Sequence, residues 1–207
     1  MSRAPSRIYL VRHGQTSWNA EGRAQGHTDI PLDETGTRQA ERVAEALGTA
    51  GATSVWSSDL SRSHATASAV ARSGSLPLRV FPALRERCFG DWEGQPLAEL
   101  RRRLDAEARD RGVAASLVRP PGGESLADAW ARVEPVAATL TQESVEGASV
   151  VVVSHGAISS LLLAQLIHGT LETARSFRPQ NASITVLERR EGGGLRLVRY
   201  DDVTHLS

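Results

Sequence analysis

The sequence lacks lysine entirely, so all 24 of its basic residues are arginine, and 24 acidic residues bring the net charge to zero. Without an excess of positive charge, nothing attracts the chain as a whole to nucleic acid or to an anionic membrane, and neither is predicted as a partner. Arginine nevertheless binds phosphate well, because its planar guanidinium group donates two parallel hydrogen bonds. The absence of lysine in a chain so rich in alanine and glycine is interpreted as a feature of a GC-rich genome and carries no mechanistic weight.

Cysteine and long apolar runs are also scarce. Cys88 is the single cysteine, so the chain cannot form an internal disulfide and does not indicate an oxidising compartment. The apolar run Ile8–Val11 is too short for a signal peptide or a membrane span, and Ala157–Ile167 is short and interrupted by polar residues. We therefore predict a cytoplasmic protein.

Metal-binding patterns are missing too. The six histidines form no His-Glu-x-x-His pair, and a single cysteine cannot form a Cys-x-x-Cys pair. We therefore predict no metal and no other cofactor, and an activity that survives a chelator.

What is present is the composition of an ordinary globular protein. Of the 207 residues, 40% are hydrophobic and 23% are charged, which suffices for one domain over residues 1–207. Compact apolar runs predict strands at Ile8–Val11, Thr53–Trp56, Leu78–Phe81, Ser149–Val153, Ser183–Glu188 and Leu195–Tyr200. Apolar residues at helical spacing predict helices at Thr35–Leu47, from Asp59 to about Ala71, and at Ala98–Arg111, Leu126–Gln142 and Ala157–Leu166.

The order of these elements predicts the fold. Asp33 and Asp59 are the expected N-caps of the first two helices. Strands that alternate with helices indicate an α/β fold, a three-layer α/β/α sandwich around a mainly parallel sheet. The closing hairpin is expected to add an antiparallel edge.

Ligands of such sheets bind beyond the carboxyl ends of the strands. Three segments lie there: Arg12-His13-Gly14, residues 57–62, and Ser154-His155-Gly156. One histidine at a strand end is most often a core residue. Two junctions that each join an apolar strand, a histidine and a glycine are hard to explain by packing alone, so His13 and His155 are candidates for chemistry.

A phosphoryl-transfer site without a metal needs a nucleophile, cations around the phosphoryl oxygens, and an acid for the leaving oxygen. Neutral histidine is a competent nucleophile, which makes His13 the first candidate. Gly156 opens a predicted helix, whose free amides favour an anion. Arg62 and Glu86 are candidates for a cation and the acid, although each taken alone equally fits a solvated surface residue.

Several segments resemble one family and follow that family's order along the chain. They are Leu10–Asn19 (L-V-R-H-G-Q-T-S-W-N), Gln25–Leu32, Ser57–Arg62, Leu84–Glu86, Gly90–Gly94, Pro121–Ser125 and Val153–Gly156. The set resembles the signature of the histidine phosphatase superfamily, the phosphoglycerate mutase-like proteins, and extends from Ile8 to about Leu187. A match of several segments in one order is far more specific than any single motif.

The resemblance implies a role for each matching residue. His13 would be the nucleophile that becomes phosphorylated. The groups that would bind the phosphoryl oxygens and stabilise the transition state are Arg12, Arg62 and His155. Glu86 would protonate the leaving oxygen and then help to activate water.

The resemblance also implies substrate contacts around this catalytic group. Asn19 would bind phosphate, Gln25 and Gly26 would line the substrate side, and Gly156 would offer its backbone amide. Asn181 resembles an asparagine of the family that lies near the phosphate.

The compact stretch Arg87–Gly94 resembles the phosphatase branch, because the family's cofactor-dependent mutases carry a longer insert after the acid. The resemblance thus implies a metal-independent phosphomonoesterase for a small phosphorylated metabolite. A cofactor-dependent phosphoglycerate mutase and a catalytically weak regulatory protein that binds a phospholigand are the alternatives. A homodimer is one of the oligomeric states that family members adopt. Arg101–Arg103 are interpreted as a solvated helix face.

Overall fold

The computed structural model describes residues 6–144 and 147–207. The strands in this part of the chain are β1 Arg7–Arg12, β2 Ala52–Ser57, β3 Leu78–Val80, β4 Ser149–Ser154, β5 Ile184–Arg189 and β6 Leu195–Asp202. The α-helices are α1 Ser17–Ala20, α2 Glu34–Leu47, α3 Ser61–Gly74, α4 Leu97–Arg111, α5 Leu126–Glu143, α6 Gly156–Leu166 and α7 Leu171–Ser176. None of the described helices has the length and apolar character needed to cross a membrane.

The six strands form one sheet in the order β3-β2-β4-β1-β5-β6. The first four are parallel, whereas β5 and β6 run antiparallel to their neighbours. The prediction of a mainly parallel sheet with an antiparallel edge is therefore confirmed. In the register of β1 and β4, Arg12 lies opposite Ser154, so the residues that follow these two strands leave the sheet at the same level.

Both faces of the sheet are covered by helices, which confirms the three-layer arrangement. Alternate residues of β1 and β4 point to opposite faces, as in any strand. Leu10 and Val152 pack against α5 and α6, while Val11 and Val153 pack against α2 and α3. Burial on both faces explains why the central strands are continuous apolar runs rather than alternating ones.

One of the two predicted helix caps is correct. The Asp33 carboxylate accepts a hydrogen bond from the backbone N–H of Gly36 at 2.7 Å and begins α2 as expected. The prediction for Asp59 is wrong, since α3 begins at Ser61 and the Asp59 carboxylate pairs with Arg85 at 2.5 Å. The Ser61 N–H is satisfied instead by the carboxylate of Asp29, at 2.8 Å, from a segment distant in the sequence.

The start of α2 packs without any gap against the loop that follows β1. A Cβ atom on Gly36 would lie only 2.8 Å from the backbone nitrogen of Gln15, and one on Gly14 would lie 3.0 Å from the Cα of Gly36. Both glycines are therefore required by a close approach of two backbones, which fixes the chain immediately after His13.

We expect Gly36→Ala to lower the free energy of unfolding by about 1–3 kcal/mol, because the added methyl group would press on backbone atoms that cannot rotate away. Urea unfolding of the purified variant measures this change. The control is Gly192→Ala, whose methyl group would meet no atom within 4 Å. Equal stability of the two variants would contradict the close-packing argument.

Candidate active site

Two imidazole rings lie side by side at the carboxyl ends of β1 and β4. The ring centroids of His13 and His155 are 5.0 Å apart, and the ring planes meet at 60°. The side chains are 2% and 0% exposed, respectively. The backbone N–H of His13 also donates to the carbonyl of Ser154 at 2.9 Å, which ties the two strand ends together.

The orientation of His13 determines which ring nitrogen is free. Its Nδ1 lies 2.7 Å from the carbonyl oxygen of Gly14. Because a carbonyl oxygen can only accept, Nδ1 carries the proton, and the Nε2 lone pair is left available. Burial, reinforced by the charges of Arg62 and Arg12, holds the pKa of His13 well below 6.5. The ring is therefore neutral at neutral pH.

In His155 the ring nitrogen that is left available is Nδ1, not Nε2 as in His13. Its Nε2 lies 2.8 Å from the Ser58 hydroxyl, while its Nδ1 is buried with no hydrogen-bond partner among the described residues. If the serine donates to Nε2, the unpartnered Nδ1 carries the proton and can donate to an anion. Burial, and then the charge of Arg62, holds the pKa of His155 well below 6.5.

Two buried guanidinium groups face these rings. Arg62 is fully buried in the first turn of α3 and donates to the carbonyls of Thr28 at 2.9 Å and Gly26 at 2.7 Å. Arg12 donates to the carbonyl of Pro179 at 2.9 Å. In both side chains the buried Nε has no partner in the described structure. Burial lowers both pKa values, and the nearby Glu86 offsets part of that effect. Because arginine stays charged in proteins, the site holds two positive charges that form no ion pair with a described carboxylate.

The carboxyl group of Glu86 completes the site. Its Oε1 accepts from the backbone N–H of Arg87 at 2.8 Å, and its Oε2 accepts from that of Ala157, in the first turn of α6, at 3.2 Å. The Glu86 carbonyl in turn lies 2.8 Å from Nε2 of His27 and 3.2 Å from Nη2 of Arg132. These contacts hold the carboxyl group at the edge of the anion site.

The structure brings the sequence-predicted residues to one cavity of about 560 Å³, which is the size of a small-metabolite site. Eight of them line it: Arg12, His13, Asn19, Gln25, Gly26, Arg62, Glu86 and Gly156. His155, the ninth, lies buried beside His13. Within residues 6–144 and 147–207, no group of three or more His, Cys, Asp or Glu side chains is placed to hold a metal ion.

Asn19 and Asn181 act on the loop that carries His13. The Asn19 Oδ1 accepts from the Thr16 backbone at 3.1 Å and from the Asn181 amide at 3.1 Å. That amide also donates to the carbonyls of His13 at 3.0 Å and Gly14 at 3.3 Å. Asn181 therefore supports the backbone of the nucleophile candidate and does not line the cavity.

Residues 8–203 match the family model of the histidine phosphatase superfamily, branch 1. The chain belongs to this superfamily. The match spans every segment that supplies the cavity, so the resemblance predicted from the sequence is confirmed.

Named relatives of this superfamily member include a mutase and phosphatases. A "Probable phosphoglycerate mutase GpmB" of Yersinia pestis (strain Pestoides F) is 34% identical over 96% of this chain and 94% of its own length. A solved mycobacterial glucosyl-3-phosphoglycerate phosphatase, in complex with VO3, is 33% identical over 95% of this chain and 98% of that one, with a TM-score of 0.81. A mutant phosphoserine phosphatase of Entamoeba histolytica, in complex with phosphoserine, is 27% identical over 97% and 99%, with a TM-score of 0.82.

Sequence reasoning missed a positioning arginine in this histidine phosphatase superfamily member. Arg132 of α5 donates to the carbonyls of Ala83 at 2.6 Å and Arg85 at 3.1 Å, and pairs with the Glu124 carboxylate at 2.7 Å. It thereby holds the segment that carries Glu86. No sequence signal distinguishes it from other helical arginines. Ser58 was also missed, although it lies within a matched segment.

Burial of His13 and His155 makes the stability of the protein depend on pH. Because both pKa values are lowered in the folded state, the unfolded chain binds more protons below about pH 6.5, and stability is lost as the pH falls from there toward the folded-state pKa values. We expect up to about 1.4 kcal/mol per pH unit from each ring. Urea titrations between about pH 7.5 and pH 5.5 measure this slope.

His155→Gln should reduce that slope, since it removes one of the two rings. The exposed His64→Gln serves as the control for the substitution itself. An unchanged slope in the His155 variant would contradict the assignment.

Proposed function

We propose that the protein, as a single domain, hydrolyses small phosphorylated metabolites without a metal, through a phosphohistidine intermediate on His13. One observation carries the proposal: the unprotonated Nε2 of His13 lies beside buried cationic groups that have unpartnered N–H donors. An anion fits this site because the described hydrogen bonds of Arg12 and Arg62 go to carbonyl oxygens and neither forms an ion pair with a described carboxylate.

The reaction follows in two steps. In the first, Nε2 of His13 attacks phosphorus, the P–O ester bond breaks, and Glu86 in its acid form donates a proton to the leaving oxygen. Arg12, Arg62 and His155 donate to the phosphoryl oxygens and stabilise the charge of the transition state. In the second, Glu86 takes a proton from water, whose oxygen attacks phosphorus, and the N–P bond breaks to release phosphate and free His13.

Four further residues are assigned to substrate binding in this proposal. Asn19 and the backbone amide of Gly156 border the phosphate, while Gln25 and Gly26 line the cavity beyond it. The buried Gln25 Oε1 has no partner in the described structure, so it can accept a hydrogen bond from a substrate hydroxyl. The cytoplasmic location and the homodimer stay predictions from the sequence.

The phosphoglycerate mutase is the second candidate, favoured by the name of the Yersinia relative. The names of the solved phosphatases support hydrolysis instead. A regulatory protein that only binds a phospholigand is less well supported, because all five catalytic candidates are in place. These are Arg12, His13, Arg62, Glu86 and His155.

Hydrolysis and isomerisation can be separated directly. We expect phosphate release from a panel of small monoesters to outpace conversion of 3-phosphoglycerate in the presence of catalytic 2,3-bisphosphoglycerate. The first is measured as free phosphate and the second by a coupled assay of the 2-isomer. Isomerisation that is faster than any phosphate release would make the mutase the correct function.

His13→Ala should lower turnover more than about a thousandfold, because the variant lacks the ring nitrogen that forms the covalent intermediate. Rapid denaturation at alkaline pH after mixing with phosphorus-labelled p-nitrophenyl phosphate should trap a phosphoprotein that is stable to alkali and labile to acid in the wild-type protein, and none in this variant. The exposed His64→Ala, on the neighbouring helix α3, is the control. Near-normal turnover by the His13 variant would refute the mechanism.

A further inference from the structure

The cavity collects far more positive charge than one phosphate requires. Seven arginines line it: Arg12, Arg23, Arg62, Arg87, Arg101, Arg175 and Arg178. Among the residues that the structure describes, Glu86 and Asp105 are the only carboxylates in that lining. Seven positive and two negative groups leave an excess of five charges, which falls to four because Arg23 pairs with Glu21 beside the cavity. A phosphate monoester dianion supplies only two negative charges, so two remain unmatched.

The unmatched charge lies away from the histidines. Arg12 and Arg62 face His13, Arg23 pairs with Glu21 at 3.1 Å, and Arg87 donates to backbone carbonyls. The remaining three arginines are exposed, and none forms an ion pair with a described carboxylate. They are Arg101 of α4, Arg175 of α7, and Arg178 just after α7. We call them the outer arginines.

Of the three consecutive arginines 101–103, Arg101 alone lines the cavity. Its neighbours Arg102 and Arg103 pair with Glu99 at 2.6 Å and 3.5 Å and do not line the cavity. All three side chains are exposed, as the interpretation of a solvated helix face predicts. Arg101 in addition lines the cavity and forms no ion pair with a described carboxylate.

Arg178, the outer arginine that follows α7, has its backbone held at a fixed position relative to the phosphate site. The backbone N–H of Arg178 donates to the Tyr200 hydroxyl at 2.5 Å. The next residue, Pro179, accepts from the guanidinium of Arg12 at 2.9 Å. One short stretch of backbone therefore contacts both the inner anion site and the edge strand β6, which limits how far the two cationic regions can separate.

We propose that the substrate carries a second anionic group, which the outer arginines bind while its phosphate lies at His13. This inference rests on the proposed function, which places the phosphate of the substrate at His13. Guanidinium groups bind carboxylate or a second phosphate by paired hydrogen bonds, and both are compatible with this wall. Sugar phosphates with no other charge, and phosphorylated alcohols, fit it less well.

Two phosphonates of equal chain length test the proposal, because their P–C bond does not hydrolyse and their binding does not depend on turnover. They are 3-phosphonopropionate, which ends in a carboxylate, and 3-hydroxypropylphosphonate, which ends in a hydroxyl. Calorimetry at low salt, at a pH where both phosphonates are dianions, measures both dissociation constants. We expect the wild-type protein to bind the carboxylate compound about tenfold more tightly, and high salt to reduce this ratio.

The triple variant Arg101→Gln/Arg175→Gln/Arg178→Gln should reduce the ratio to less than about twofold, because it removes the charges that recognise the second anion. The matched control is Arg72→Gln/Arg109→Gln/Arg190→Gln, which removes the same charge from exposed arginines outside the cavity and should keep the wild-type ratio.

Equal affinity of the wild-type protein for both phosphonates, binding of neither, or an unchanged ratio in the outer-arginine variant would overturn the proposal. Phosphate release by the wild-type protein is measured in parallel on the panel of small monoesters, which includes esters with a second anionic group such as 3-phosphoglycerate. A protein that keeps the tenfold ratio but releases phosphate from no member of the panel would support the second-anion site and refute the hydrolytic function. A protein that releases phosphate but binds both phosphonates equally would support the hydrolytic function and refute the second-anion site.

Discussion

The parallel pairing of β1 with β4 is the constraint on which the site depends. It places Arg12 opposite Ser154, and one further backbone hydrogen bond from His13 to Ser154 extends the ladder to the first residue beyond the sheet. A shift of one residue in this register would move alternate side chains to the opposite face. The apolar side chains on both faces prevent that shift, so the hydrophobic core determines the separation of the two imidazoles.

The positive charges beside these two imidazoles lower the stability of the fold. Two guanidinium groups lie buried next to two imidazoles, and burial of unpaired charge is unfavourable. Backbone carbonyls of Gly26, Thr28 and Pro179 compensate part of that cost. Burial and the arginine charges lower the pKa values of both rings, which therefore stay neutral, as the proposed roles of nucleophile and neutral donor require. A bound anion would supply the missing negative charge.

The sequence was sufficient where function depends on local pattern. Apolar runs locate the strands, and the rule that ligands bind at their carboxyl ends points to His13 and His155. Sequence patterns are insufficient where a side chain contacts a residue that lies far away along the chain. The Asp59 carboxylate pairs with Arg85, 26 residues away, and so does not cap α3. Arg132 contacts the Glu86 segment from 46 residues away, and no local pattern reveals such a contact.

The short helices α1 and α7 were missed for a related reason. Each is capped by a threonine, Thr16 or Thr170, but neither is long enough to show an apolar period. The triplet Arg101–Arg103 illustrates the same limit, because its members have identical chemistry in the sequence and different surroundings in three dimensions.

Through the contact between Pro179 and Arg12, the antiparallel edge of the sheet also supports the candidate active site. The stretch from Arg178 to Gln180 is fastened to β6 through Tyr200 and Asp201, and it also touches a guanidinium group of the reaction centre. Arg101 of α4 forms no such hydrogen bond in the described structure. Under the proposed function, substitutions on α4 would change which molecules bind at little cost to the reaction, whereas changes beside Pro179 would disturb recognition and reactivity together.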